Sequence, residues 1–173
     1  VRLSPKHESD GLPQTSGHSW DAIRNGPLNA QRSTTLKGID YAASGHSMLG
    51  MHANSGATFD LELLRTSLGT SEMRLTGTIG FGADPGAAAS KADLYVLADA
   101  QITFQHKGLR KDETGDLDVI IPPDASTLTL IATDGGDGIG SDLLFIGDPR
   151  LRPKLQQSSR TAAEIARQTA LAE

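Results

Sequence analysis

The chain has 173 residues, no cysteine, and a net charge of −5 from 16 Lys and Arg against 21 Asp and Glu. That length is typical of one domain that buries a core without staples, and the absence of cysteine excludes disulfides, thiolate zinc sites and a cysteine nucleophile. No basic stripe is present to release counterions from nucleic acid, and no apolar run approaches the roughly 20 residues that span a bilayer, so neither a nucleic-acid partner nor membrane insertion is expected.

Residues 1–16, with Pro5, Gly11 and Pro13, read as an irregular lead-in. Nineteen glycines and short strand signals favour an all-β fold. Phe59, Leu61 and Leu63 alternate with Asp60 and Glu62, which predicts a half-buried strand. Met73, Leu75, Ile79 and Phe81 predict a second. Leu94–Leu97 is a short apolar run, and with Ile102 and Phe104 it predicts a hairpin across Ala98–Gln101. Val119–Ile121 stops at Pro122-Pro123, Leu128, Leu130 and Ala132 alternate, and Leu143–Ile146 follows a glycine-rich loop. Strands at this spacing indicate a sandwich or a barrel. Thr161 and Glu164 have capping-box spacing before Ile165, Ala166 and Thr169, which predicts a helix over 159–172 in a C-terminal segment, 153–173.

Three places carry candidate chemistry. Gly50-Met51-His52-Ala53-Asn54-Ser55 groups an imidazole, an amide and a hydroxyl, which together donate to and accept from sugar hydroxyls. The alternative is a loop whose Asn54 and Ser55 cap their own backbone. Asp134, Asp137 and Asp142 place three carboxylates in a nine-residue glycine-rich loop. Such a loop is a candidate structural Ca²⁺ site, or one in which the Asp side chains brace the backbone; it matches neither an EF-hand nor a repeated calcium nonapeptide. Trp20, the one tryptophan, is either a stacking platform for a sugar face or, as is commoner, buried packing. Enzyme signatures are poor. Gly45-His46-Ser47-Met48-Leu49-Gly50 has one residue too many for a nucleophile elbow, and the six-residue separation of His46 and His52 does not fit a zincin.

These residues fall in a recurring order. It runs through Trp20, Gly26-Pro27-Leu28, Leu36-x-Gly38-x-x-Tyr41, Gly50-Met51-His52-Ala53-Asn54-Ser55, Gly80-x-Gly82-x-Asp84, Asp134-Gly135-Gly136-Asp137-Gly138-Ile139, Asp142, and Asp148-Pro149-Arg150-Leu151. Over 17–152 the chain resembles the NPCBM family (novel putative carbohydrate-binding module), also called carbohydrate-binding module family fifty-one. The resemblance implies a galactose-binding-like, jelly-roll β-sandwich. It implies a non-catalytic module, covalently linked to further domains of a secreted or cell-surface protein, hence an extracellular or periplasmic one. Its partner would be a glycan ending in galactose or a related sugar, held in a shallow loop-lined pocket. His52 and Asn54 match the family's polar pocket motif, and Trp20 and Asp84 join them as candidate sugar-binding residues. Asp134 and Asp137 match its glycine-rich loop. The chain departs from the pattern at Leu49, at Pro85-Gly86-Ala87-Ala88-Ala89, and at Leu143-Leu144-Phe145. These departures leave an alternative, an accessory protein-binding or structural sandwich without sugar binding.

Overall fold

The computed structural model describes residues 2–4, 7–9, 11–19, 23–82 and 90–153. In chain order the elements are β1 (Arg2–Ser4), β2 (His7–Glu8), β3 (Ile23–Asn25), β4 (Thr35–Leu36), β5 (Ile39–Asp40), β6 (Met48–His52), β7 (Ser55–Asp60), α1 (Leu61–Leu68), β8 (Met73–Gly80), β9 (Lys91–Ala98), β10 (Gln101–Arg110), β11 (Thr114–Ile121), β12 (Thr127–Thr133) and β13 (Leu143–Pro153). Two antiparallel sheets form the body. One has four strands in the order β10-β9-β12-β7, the other five in the order β11-β8-β13-β6-β3. The pairs β1–β2 and β4–β5 stand outside them.

The side-chain period of two makes the core. In β11, Leu117, Val119 and Ile121 point inward and are buried, while Asp116, Asp118 and Ile120 face out. Met73, Leu75 and Ile79 do the same in β8. These faces meet Leu94, Val96, Leu128, Leu130 and Ala132 of the four-stranded sheet in one continuous core. The molecule is therefore a two-layer sandwich, and each large apolar side chain buried there contributes about 1.5–3 kcal/mol.

Two smaller clusters cover the outer faces. Tyr95, Leu97 and Ile131 lie on the outside of the four-stranded sheet, under Leu12 of the lead-in and Ile102. Burial on both faces explains why Leu94–Leu97 is a continuous apolar run instead of an alternation. On the five-stranded sheet, Leu36, Tyr41, Met48 and Phe145 pack together beneath the β4–β5 pair. That approach depends on Gly80 and Gly147. A Cβ at these positions would stand 2.6 Å from Leu36 Cδ2 and 2.5 Å from Tyr41 Cδ1.

The segment read as a strand through Phe59, Leu61 and Leu63 breaks in two. β7 ends at Asp60, whose carboxylate accepts hydrogen bonds from the backbone N–H of Glu62 (2.9 Å) and Leu63 (3.1 Å) and caps α1. Gly69, at φ 64°, ends the helix. Leu61 and Leu64, at helical spacing, face the core, and Leu63 is left 66% exposed. Arg65 fastens the helix by donating to the carbonyls of Pro122 (2.8 Å) and Ala125. The hairpin expected after Leu97 is present, with Asp99 and Ala100 both at positive φ in its turn. The helix expected over 159–172 lies outside the described residues.

Candidate functional site

The antiparallel pairings bring the β6–β7 turn, the start of β9 and the β12–β13 loop to one end of the sandwich. The lead-in reaches the same place. Its meeting point is Asn54, which sits in the tight β6–β7 turn at φ 60°, a conformation Asn tolerates better than most side chains. Both ends of its amide are engaged. Nδ2 donates to His18 O (2.6 Å) and to Asp134 Oδ2 (3.0 Å), and Oδ1 accepts from Asp134 N (3.2 Å).

Asp134 is 0% exposed. Its Oδ2 also accepts from Ser16 N at 2.8 Å, and its Oδ1 accepts from Gly136 N at 3.0 Å. Burial pushes this carboxyl up, but the bonds from Ser16, Asn54 and Gly136 outweigh it and hold the group at about 2. The aspartate is thus an ionised clamp joining the lead-in, the β6–β7 turn and the glycine-rich loop.

His52, two residues before Asn54 at the end of β6, is 2% exposed, and its Nδ1 lies 3.4 Å from Ala53 O. Burial lowers its pKa against the opposing effect of that carbonyl, which favours a neutral imidazole. Ser55 Oγ donates to His52 O. The structure therefore brings His52, Asn54 and Asp134 together, with His52 as a wall and Asn54 as a brace. Trp20 and Asp84 lie outside the described residues, one residue beyond Ser19 and two beyond Gly82 respectively.

The glycine-rich loop treats its other two carboxylates differently. Asp137 is exposed. Asp142 is 0% exposed, and neither of its oxygens has a hydrogen-bond partner. Burial, then the charges of Asp137 and Asp134, push it up to about 8. Among the described residues no three His, Asp or Glu side chains gather as a metal cluster. The loop is tethered to the start of β9, where Ser90 Oγ donates to Gly140 O.

Beside Asn54, on the outer face of the four-stranded sheet, lies a cleft of about 340 Å³. Leu12, Pro13 and Ile131 give it apolar surface, and Thr15, Ser55 and Thr129 give it hydroxyls. Sequence reasoning missed this cleft and the part played by Ser16 and His18. A Thr-rich outer strand face looks like any solvated one, and the Ser16–Asp134 bond spans 118 residues.

His46 and Ser47 form a separate surface cluster with Asp148. His46 Nδ1 lies 2.7 Å from Asp148 Oδ2, while Ser47 donates to Asp148 Oδ1 from its backbone N (2.8 Å) and its Oγ (3.3 Å). The serine and the histidine both bind the aspartate instead of each other, an arrangement unlike a nucleophile activated by an adjacent base.

Comparison with known families decides the assignment. The NPCBM/NEW2 domain matches residues 6–152. The chain belongs to the NPCBM family. Its fold agrees with solved carbohydrate-binding modules of family 51. One is the module from Clostridium perfringens GH95 in complex with methyl-galactose, with TM-score 0.61 and 25% identity, covering 77% of this chain and 89% of that one. A second is the M60 catalytic domain of Clostridium perfringens ZmpB with its CBM51-1 and CBM51-2 domains, with TM-score 0.57 and 26% identity, covering 85% of this chain but 15% of that one. A third is the tandem family 51 pair of Sp3GH98, a Streptococcus pneumoniae family 98 glycoside hydrolase, with TM-score 0.59 and 19% identity, covering 88% and 44%. None of the curated proteins compared matches the sequence. The match places this chain in a family of carbohydrate-binding modules, and two of these three similar structures hold such modules within longer multidomain chains.

Proposed function

We propose that this NPCBM domain binds a terminal galactose-type sugar and serves as the targeting module of a larger extracellular or periplasmic protein. The observation that carries the reading is its likeness, over 77% of the chain, to a family 51 module in complex with methyl-galactose. The loop-bearing end suits such a ligand. Asn54 and Asp134 fix the rim, the neighbouring cleft pairs apolar surface with hydroxyls, and a sugar offers both a C–H face and O–H groups to such a surface. Trp20 and Asp84 are assigned direct contact with the sugar, and His52 and Asn54 the shaping of the rim. A second reading, a sandwich that has lost sugar binding, draws support from one observation. His52 is buried, and the Asn54 amide is engaged at both ends.

Titration calorimetry with methyl galactoside, alongside melting curves, separates the two. Wild type is expected to bind. Trp20→Ala and Asp84→Ala are expected to lose binding at unchanged Tm. His52→Ala and Asn54→Ala are expected to melt earlier by roughly 3 °C or more, since each loses an internal bond worth about 1 kcal/mol and leaves a partner unsatisfied. A wild-type chain that binds neither galactoside nor any sugar on a broad glycan array overturns the first reading in favour of the second.

A further inference from the structure

The cleft beside Asn54 is floored by one face of the four-stranded sheet. The period of two along β7 brings Gly56 and Thr58 to the same side as their register partners on β12, Ile131 and Thr129. Thr58 and Thr129 share a hydrogen bond of 3.0 Å between their hydroxyls. Gly56 leaves the floor without a side chain between Asn54 and Thr58. A Cβ there would stand 3.2 Å from Ile131 Cγ1, and a glycine inside a strand often marks a place where another group comes close. Leu12 and Pro13 of the lead-in complete the lining. That part of the lead-in is fastened on both sides, by Leu12 packing on Tyr95, Leu97 and Ile131 and by Ser16 N donating to Asp134. At about 340 Å³ the cleft sits at the small end of the roughly 300–1,000 Å³ range of ligand clefts, which suits one sugar unit and not a long chain.

Three properties of the lining narrow the occupant. No described residue that lines the cleft is charged, so nothing there offsets the carboxylate of an acidic sugar, whose burial unpaired is costly. None is aromatic, so the cleft offers no flat platform to the C–H face of a galactose ring. It does offer methyl groups, from Leu12, Ile131 and the threonines, beside hydroxyls that both donate and accept. An acetamido group matches that mixture, with one methyl to bury, one N–H to give and one carbonyl to accept. We propose that the cleft is a subsite for an N-acetylhexosamine adjoining the terminal galactose, with its acetamido group lodged over Gly56. The inference rests on the galactose reading above and adds a second sugar to it. Asn54, which lines the cleft and donates to Asp134 at the rim, is the border between the two subsites.

Titration calorimetry on the whole chain tests this with methyl galactoside, lactose and N-acetyllactosamine. The last two differ only in the acetamido group that replaces one hydroxyl on the second sugar. N-acetyllactosamine is expected to bind roughly tenfold more tightly than lactose, the worth of about one net hydrogen bond and one buried methyl. Thr58→Tyr, which fills the floor, is expected to abolish that difference and to leave the affinity for methyl galactoside unchanged. Thr58→Val removes only the hydroxyl. It is expected to fold even where the larger substitution does not, and to cut the difference about threefold. Equal wild-type affinity for lactose and N-acetyllactosamine, with methyl galactoside bound, overturns the subsite and leaves the galactose reading standing. A tenfold difference that survives Thr58→Tyr in a folded protein places the acetamido group elsewhere and also overturns it. If none of the three sugars binds, the galactose reading fails and the subsite falls with it.

Discussion

The two ends of one loop set the same chemical group in opposite states. Asp134 and Asp142 are both 0% exposed, yet the first is held at about 2 and the second is pushed up to about 8. Burial raises both, and at Asp142 the charges of Asp137 and Asp134 add to it. The donors differ as well: Ser16, Asn54 and Gly136 converge on Asp134, and none reaches Asp142. One carboxylate holds the loop-bearing end together through its charge, while the other is at odds with its own charge until something positive arrives.

The hardest test of that contrast removes the clamp. Asp134→Ala strips an acceptor from three part-buried N–H groups and frees the lead-in from the loop. We expect a loss of about 3 kcal/mol in urea unfolding, whereas Asp142→Asn in chelator should leave stability unchanged or raise it at pH 7. Two variants that destabilise equally would show that burial, and not the donor count, governs these positions.

The second test separates the carboxylates by pH, in chelator. The folded pKa of Asp134 lies below its unfolded value of about 3.9, so its contribution is present above that value and is lost as pH falls toward about 2. Asp142 has the reverse sign. Its folded pKa is raised, so the folded state binds the extra proton, and stability declines as pH rises from about 4 through about 8. Asp142→Asn should flatten the decline on the neutral side and leave the acid limb in place. Urea midpoints between pH 2 and 9 check this, and a neutral-side decline that survives the substitution contradicts the assignment to Asp142.

This contrast also marks how far the sequence could be read. Strands β8 and β11 were legible because Leu75, Ile79, Val119 and Ile121 alternate cleanly, and Pro122 stops the second. Phe59, Leu61 and Leu63 misled because Leu61, Leu64 and Leu68 fit a helical period in the same residues, and Asp60 serves as a cap. The family motif was legible at His52, Asn54, Asp134 and Asp142, but not the role of each. Whether a carboxylate is bonded depends on donors brought from far along the chain, as Ser16 is to Asp134. A sequence displays acids and does not display which of them lack partners.

The smallest expected effect asks how much of the Asp142 shift is field and how much is burial. Asp137 is exposed, and after burial its charge is the next largest influence on Asp142. Asp137→Asn removes that charge while leaving Asp142 walled off from water. In chelator, the midpoint of the neutral-side decline should therefore move to lower pH, yet stay well above the ordinary carboxylate range, with a stability change at pH 7 within about 0.5 kcal/mol. Salt offers a parallel control, because a charge at the surface is screened while a desolvation penalty is not. Raising the ionic strength should shift the wild-type midpoint the same way as Asp137→Asn and should shift the variant less. If Asp137→Asn alone returns the midpoint to the range of an ordinary aspartate, the burial argument fails. The loop would then be an electrostatic cluster, with Asp142 unusual only for the company it keeps.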